Sequence, residues 1–192
     1  MKLILASRSP RRKEILSNLG YDFIVEPSDK EEIFDQSTID GSLKKVALCK
    51  AQDVFFKHLD SCVLGADTIV VYQNKVLGKP RSKIEAFQTL RMLSGSVHEV
   101  KTAVSLCRKG REVVELETTK VYFRELTDAQ IQAYVDSGRC MDKAGSYGIQ
   151  EVDFVSKIEG SYSNVVGFPE DLVLKLLENE NELRINEVQF DN

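Results

Sequence analysis

A cationic stretch near the start of the chain, ASRSPRRK at residues 6–13, combines residue types that bind anions. Ser9 and the proline after it suit the cap and first position of a helix, so Arg11, Arg12 and Lys13 fall in its first turn. The helix dipole disfavours cations there by about 0.3–1 kcal/mol each, whereas the N–H groups of a helix start attract phosphate. The pattern therefore predicts a phosphate site, with a solvated basic surface as the alternative.

Two ionisable residues fall among apolar neighbours. Lys50 lies on the same helical stripe as Leu43 and Val54, and Asp67 interrupts the apolar run at 63–71. A buried charge needs a partner, although a lysine at the edge of a stripe can also extend its ammonium into water. Asp67 could act as a general base toward water, as a metal ligand, or as the structural partner of Lys50 or an arginine.

Three weaker signals add polar groups to this set. Lys79 follows a glycine and precedes a proline, so a defined loop presents it. The segment at 142–150, DKAGSYGIQ, carries charges and ends in the amide of Gln150, while Glu31 and Glu32 lie in a polar stretch. Together the residues supply cations for phosphates, carboxylates for a metal and an amide for a base edge. That inventory matches phosphoryl chemistry, which depends on positioning and charge stabilisation.

The elements that must position these residues alternate between apolar runs and amphipathic segments, which predicts an α/β or α+β fold. No repeat or linker divides the chain, so we expect one domain over residues 1–192, with a polar tail from about 179. Strands are expected at 2–6, 62–72, 76–77, 99–107, 113–123 and 152–158, and helices at 9–20, 42–56, 82–95, 127–138 and from Pro169.

Composition excludes several classes of protein. Hydrophobic residues make up 42% and charged residues 29% of the 192, which is typical of a globular protein. A net charge of −4 argues against a stable nucleic-acid partner. No apolar run approaches the ~18 residues that span a bilayer, and the apolar start is too short for an export signal. The four cysteines form no CxxC pair, so we expect reduced thiols and a cytoplasmic location.

The sequence resembles the Maf family of nucleotide pyrophosphatases, also described as septum-formation inhibitor homologues. The similar segments occur in family order from residue 3 to about 177. They are ASRSPRRKEIL, FIVEPSDKEE, the helix around Lys50, LGADTIV, LGKPRS, LSGSVHEVKTAV, DKAGSYGIQ and GSYSNVVGFP.

The resemblance implies an α/β fold like that of inosine triphosphate pyrophosphatases, with a long mixed sheet, flanking helices and two lobes around a central cleft. It implies that Asp67 accepts the proton of the attacking water. Arg11, Thr68 and Gln150 fall at the specificity positions of the family and match its dTTP/UTP branch, whereas a sister branch prefers 7-methyl-GTP. Further matches to positions associated with the triphosphate, the metal or catalysis are Ser7, Arg12, Glu32, Lys50 and Lys79.

The expected reaction is attack of water on the α-phosphorus of dTTP or UTP, with release of pyrophosphate. Mg²⁺ or Mn²⁺ would bridge phosphate oxygens and carboxylates, with Glu32 and Asp67 as candidate ligands and Glu31 as an alternative to Glu32. A homodimer is expected from the resemblance alone. Two other functions stay open: removal of modified pyrimidine nucleotides such as 5-methyl-UTP and pseudo-UTP, and non-catalytic regulation of cell division.

Overall fold

The computed structural model describes residues 1–30 and 33–178 of the chain. Within these ranges, strands and helices combine into the α/β architecture expected from the sequence. The strands are β1 (Lys2–Leu5), β2 (Ile24–Val25), β3 (Ser61–Tyr72), β4 (Lys75–Leu77), β5 (Val97–Arg108), β6 (Arg111–Phe123) and β7 (Val155–Glu159). The α-helices are α1 (Pro10–Asn18), α2 (Ile39–Phe55), α3 (Lys83–Leu93), α4 (Asp128–Asp136), α5 (Tyr162–Val166) and α6 (Glu170–Leu177).

One mixed sheet contains all seven strands of the described residues, in the order β2-β1-β3-β5-β6-β7, with β4 paired to β3 beside β1. β1 runs parallel to β2 and β3, and the remaining pairs are antiparallel. A hairpin joins β5 to β6 through a turn in which Gly110 has φ of 75°. The long strands β3, β5 and β6 therefore form a common backbone for the whole molecule.

Helices cover both faces of this sheet, because alternate side chains of a strand point to opposite faces. On one face, α2 packs on Val63, Ile69 and Val71 of β3. On the other face, α1 and α6 pack against one end of the long strands, while α3 and α4 pack against the other end. The sheet thus carries two lobes, each with an apolar core of its own at one end of β3, β5 and β6.

Between the lobes, a short stretch of one edge of β3 has no strand beside it. β1 pairs with residues 61–64 of β3 and β4 pairs with residues 70–72, so residues 65–69 have no strand partner on that edge among the described residues. The chain leaves β1 at this point, where Ala6 N donates to Leu64 O at 2.8 Å. The gap exposes side chains from both faces of β3 to the same space, which places Asp67 and Thr68 together at its rim.

Most expected elements are present, with several differences in extent. α2 begins at Ile39, earlier than expected, and β7 begins only at Val155. The two-residue strand β2 and the five-residue helix α5 were not predicted, since neither is long enough to produce a periodic apolar pattern. The expected tail from 179 lies outside the described residues. None of the described helices has the length and apolar character needed to cross a bilayer.

The sequence has a capping-box pattern, a serine or threonine followed three residues later by Glu or Gln, at two helix starts, and the structure distinguishes them. Thr127 and Gln130 form the complete reciprocal pair before α4. Before α3, Ser82 accepts from the N–H of Glu85 at 3.2 Å, but the Glu85 carboxylate accepts from Arg81 N at 2.9 Å instead of from Ser82. Ser82 therefore caps α3 as the motif requires, whereas the Glu85 side chain accepts from the N–H group of Arg81, one residue before the cap.

A buried histidine links β5 to the loop that follows α4. His98 is 2% exposed, its Nε2 lies 2.8 Å from the hydroxyl of Tyr147, and its ring packs edge-on against Phe123. Burial lowers the pKa of His98 from its usual 6.5 to about 4, and burial raises the pKa of Tyr147. The pair is therefore neutral at physiological pH, and burial disfavours protonation of His98 in the native protein.

This histidine makes stability depend on pH in a defined window. Between pH 6.5 and about 4 the unfolded chain binds a proton that native His98 does not, so stability falls as pH falls through this range. The contribution is about 3 kcal/mol. His98→Gln keeps a polar partner for Tyr147 and cannot titrate. In this variant the loss of unfolding free energy between pH 6.5 and about 4 should be smaller by about 3 kcal/mol. Urea unfolding at a series of pH values measures it, and parallel curves for the two proteins would contradict the assignment.

Candidate active site

A cleft of about 770 Å³ opens at the unpaired edge of β3, between the two lobes. One wall consists of the loop after β1, the start of α1 and residues of α2. The other wall consists of the loop after β4 and the segment at 142–151. The described candidates from the sequence all line this cleft: Ser7, Arg11, Arg12, Lys50, Asp67, Thr68, Lys79 and Gln150. Glu31 and Glu32 lie outside the described residues.

An ion pair stands at the centre of the cleft. Lys50 Nζ donates to Asp67 Oδ1 at 2.8 Å, and both side chains are 15% exposed. Lys50 lies on the inner face of α2, as its position on the apolar stripe predicted, and Asp67 points toward that helix from β3. The ammonium gives the carboxylate the partner that a largely buried charge requires. The ion pair confirms the interpretation of Asp67 as the structural partner of Lys50. Because both residues also line the cleft, Asp67 stays a candidate base or metal ligand as well.

The position of Lys50 depends on a close contact between α2 and β3. Gly65 lies two residues before Asp67 on the same face of the strand, and a Cβ atom built on it would be 2.5 Å from Ala47 O and 2.8 Å from Ala51 N. The hydroxyl of Ser105 on β5 donates to Ala47 O at 2.7 Å. Glycine therefore allows the helix backbone to rest directly on the sheet, which places the lysine over the aspartate.

Arg12 fills the gap in the edge of β3. Its Nη1 donates to Ala66 O at 2.8 Å, which is a strand carbonyl that no neighbouring strand satisfies. Its Nε donates to Gly167 O at 2.9 Å, and its Nη2 donates to the hydroxyl of Thr68 at 3.0 Å. These three acceptors orient the guanidinium. The arginine therefore ties α1, β3 and the turn after α5 together at the cleft wall.

The loop between β1 and α1 is organised by two serines. Ser9 caps α1 and accepts from the N–H of Arg12 at 3.4 Å. Ser7 Oγ accepts from the N–H of Ser9 at 3.2 Å and from Arg12 Nη1 at 3.2 Å. The predicted helix start is thus formed as expected, and its capping hydroxyls face the same space as the arginine.

The opposite wall of the cleft is held by a buried lysine. Lys143 Nζ contacts Asp142 Oδ1 at 2.8 Å and Glu151 Oε1 at 3.2 Å, which closes the segment that carries Gln150. The hydrogen bond from Lys143 holds the pKa of Asp142 below its usual value, and the charge of Arg11 adds to this effect. Gln150 itself is exposed, and so is Lys79 on the neighbouring loop. These two side chains can therefore contact a ligand without losing a protein partner that fixes them.

Sequence reasoning missed four residues that support the site. Thr102 of β5, Asn164 of α5 and Gly167 after α5 stand behind Thr68 and Arg12, and Lys143 closes the opposite wall. Lys143 lay inside a segment already selected as polar. The others lay inside two of the segments that carry the resemblance, but their local patterns are those of an ordinary strand and a short loop.

Comparison with known proteins assigns the family. The sequence matches the family model described as Maf-like protein over residues 2–180. The chain belongs to the Maf-like protein family. The cleft brings together the described site residues that the resemblance to this family implied. They come from five separate segments of the sequence.

Relatives in the Maf-like family are similar over nearly their whole length. A protein of Alkaliphilus oremlandii named dTTP/UTP pyrophosphatase is 50% identical over 174 residues, which cover 88% of this chain and 90% of the relative. A Thermococcus gammatolerans protein of the same name is 46% identical, with 92% and 95% covered. A Thermoanaerobacter protein, again of that name, is 44% identical, with 96% and 100% covered.

The fold of this Maf-like chain is also found in a solved structure of low sequence similarity. The Ham1 protein of Staphylococcus aureus superposes with a TM-score of 0.54 at 13% identity, covering 94% of this chain and all of that one. This similarity confirms the expected α/β fold with its long mixed sheet.

The contact at Gly65 generates a stability prediction. Gly65→Ala places a methyl group against backbone atoms of α2, so overpacking should destabilise the protein by about 1–3 kcal/mol and displace Lys50 from Asp67. Thermal or urea unfolding measures this. Gly41→Ala, at a position of α2 where the nearest atom is 3.8 Å away, is the matched control and should be neutral or stabilising by up to about 1 kcal/mol. Equal effects of the two substitutions would contradict the proposed contact.

Proposed function

We propose that this protein hydrolyses dTTP and UTP to the monophosphate and pyrophosphate. The observation that carries the proposal is the cleft in which the Asp67 carboxylate, paired with Lys50, lines the same space as Arg11, Arg12 and Lys79. Cationic side chains around one carboxylate suit a polyphosphate that water attacks. The names of the relatives, which are 44–50% identical over most of the chain, supply the nucleotide class.

In this proposal Asp67 accepts a proton from the attacking water. Lys50 occupies Oδ1 at 2.8 Å, which leaves the second carboxylate oxygen to accept from a water molecule. The water oxygen forms a bond to the α-phosphorus as the bond from that phosphorus to the bridging oxygen of the β-phosphate breaks. Lys50 holds the carboxylate of Asp67 in place, and Arg11, Arg12 and Lys79 balance the negative charge on the phosphates.

In this cleft, protein carboxylates and the phosphates of a substrate would hold a divalent cation together. The described residues include no group of three His, Cys, Asp or Glu side chains placed to hold a metal ion. Mg²⁺ is commonly bound by one or two carboxylates plus the phosphates of a nucleotide. Asp67 lines the cleft and is a candidate ligand, but we rank its role as the base first, because a carboxylate that binds a metal tightly is a weaker base. Glu32, outside the described residues, is the second proposed ligand. When bound, Mg²⁺ or Mn²⁺ supplies further neutralisation of the phosphate charge.

Base selection is assigned to residues on both walls. The exposed amide of Gln150 can donate and accept, which suits the carbonyl and N–H groups of the uracil and thymine edge. Arg11 lies across from the Gln150 segment, since its charge affects Asp142. The hydroxyl of Thr68 is already bonded to Arg12 at 3.0 Å, so we assign its contribution to specificity through that arginine.

The substrate assignment predicts a specific product pattern. With Mg²⁺ or Mn²⁺, purified protein should convert dTTP and UTP to the monophosphate and pyrophosphate faster than it converts ATP, GTP or CTP. Chromatography of nucleotides together with separate assays for pyrophosphate and orthophosphate gives the result. Faster turnover of 5-methyl-UTP or pseudo-UTP would redirect the assignment to modified nucleotides. Nucleotide binding without metal-dependent hydrolysis would reject the enzyme assignment in favour of a regulatory protein.

The role of Asp67 predicts a loss of turnover with folding intact. Asp67→Asn keeps a hydrogen-bond acceptor for Lys50 but removes the base, so kcat should fall by a factor on the order of 10²–10⁴. Asp40→Asn is the matched control, because Asp40 forms a pair with Lys101 at the same 2.8 Å distance outside this cleft. That control should retain its rate within about twofold, since an exposed ion pair contributes little. Near-full activity of Asp67→Asn would remove the base assignment.

A further inference from the structure

Two hydrogen-bonded hydroxyl groups lead from the cleft into the interior, on the face of the sheet opposite α2. Thr68 of β3 and Thr102 of β5 are direct cross-strand neighbours, and their hydroxyl oxygens are 3.0 Å apart. Thr102 is fully buried and does not line the cleft. Its hydroxyl also donates to the backbone oxygen of Asn164 at 3.3 Å. The two threonines thus connect the cleft wall to the backbone of α5 at Asn164.

The hydrogen-bond count at Thr68 restricts what its hydroxyl can do. A hydroxyl has one proton, and an arginine only donates, so Thr68 accepts from Arg12 Nη2. Its own proton goes either to Thr102 Oγ1 at 3.0 Å or to Gly167 O at 3.2 Å, because these are its remaining partners. In both arrangements the proton is committed to the protein. Thr68 therefore has no proton to donate to a nucleotide base.

The same groups fix the direction of the guanidinium. Arg12 Nε and the Thr68 hydroxyl share the acceptor Gly167 O, at 2.9 Å and 3.2 Å. If Thr102 accepts the Thr68 proton, Gly167 O is left to Arg12 alone. If Thr102 were absent, the Thr68 proton would turn to Gly167 O, which would then accept from both donors, and its hydrogen bond to Arg12 Nε would be weaker. Thr102 therefore strengthens one of the hydrogen bonds that orient Arg12.

We propose that Thr102 is a positioning residue for the hydrolysis, which acts through Thr68 to hold the Arg12 guanidinium at the cleft wall. The inference rests on the proposed function for its kinetic consequence, but the orientation of Arg12 can be measured without substrate. Thr102 touches neither substrate nor the reacting atoms. Its effect on turnover comes from the placement of a cation that must meet phosphate oxygens accurately.

The test compares three variants of buried threonines in the full-length protein. Thr102→Val removes the hydroxyl with nearly unchanged shape, and Thr102→Ser restores it. The matched control is Thr119→Val, since Thr119 is also fully buried and accepts from Asn164 Nδ2 at 2.9 Å, but has no contact with Thr68 or Arg12 among its hydrogen bonds. Thermal unfolding of each variant sets a common assay temperature well below every midpoint.

The kinetic measurement is kcat and KM for dTTP with Mg²⁺. Because the charge of Arg12 remains in the cleft, Thr102→Val should lower kcat by about tenfold while KM changes by less than about threefold. Thr102→Ser and Thr119→Val should stay within about twofold of the parent protein. Equal losses of kcat in Thr102→Val and Thr119→Val would overturn the proposal, because both would then report only general destabilisation.

A second measurement does not require turnover. The exchange of the Arg12 Nε–H with solvent, followed by NMR and assigned with Arg12→Lys, should be about fivefold faster in Thr102→Val and unchanged in the other two threonine variants. Unchanged exchange in Thr102→Val overturns the inference even if the protein hydrolyses dTTP. If the parent protein hydrolyses no triphosphate, the proposed function fails, and this exchange rate alone decides whether Thr102 positions Arg12.

Discussion

β3 changes its strand partner along one edge, so the backbone groups between the two partners have no strand to pair with. The rest of the molecule is arranged around this constraint. β3 is paired to β1 at its start and to β4 at its end, so the residues between have lost a neighbour on that side. A buried carbonyl without a donor is costly. The guanidinium of Arg12 supplies the donor at Ala66 O and also reaches Gly167 O. One side chain, that of Arg12, thus completes the edge of the sheet and forms part of the cleft wall.

The same gap explains why neighbouring residues of one strand can serve one site from opposite faces. Asp67 points to α2 and meets Lys50, whereas Thr68 points to the other face and meets Arg12. In the interior of a sheet these two environments would be separated by neighbouring strands. At an open edge they face a common space, so a carboxylate and a cation from different layers come together without either crossing the sheet.

The sequence was informative where local chemistry determines local structure. The cap at Ser9, the inward position of Lys50 and the burial of Asp67 each follow from spacing and polarity over a few residues, and the structure has them as expected. The chemical roles of the site residues remain predictions. The open edge of β3 could not be derived, because strand partners are chosen by the whole fold. Thr102 looked like any threonine of a strand, since its role comes from a cross-strand neighbour and from a carbonyl sixty-two residues away.

Continuity of the long strands limits how the molecule can move. β3, β5 and β6 pass without interruption beneath the apolar cores of both lobes. In the described part of the chain no linker separates the walls of the cleft, so the walls can approach each other only if the shared sheet bends or twists. Such a deformation would strain the many hydrogen bonds between the long strands. We therefore expect the loops at the rim to adjust around a ligand, while the spacing between the strand-borne groups stays nearly constant.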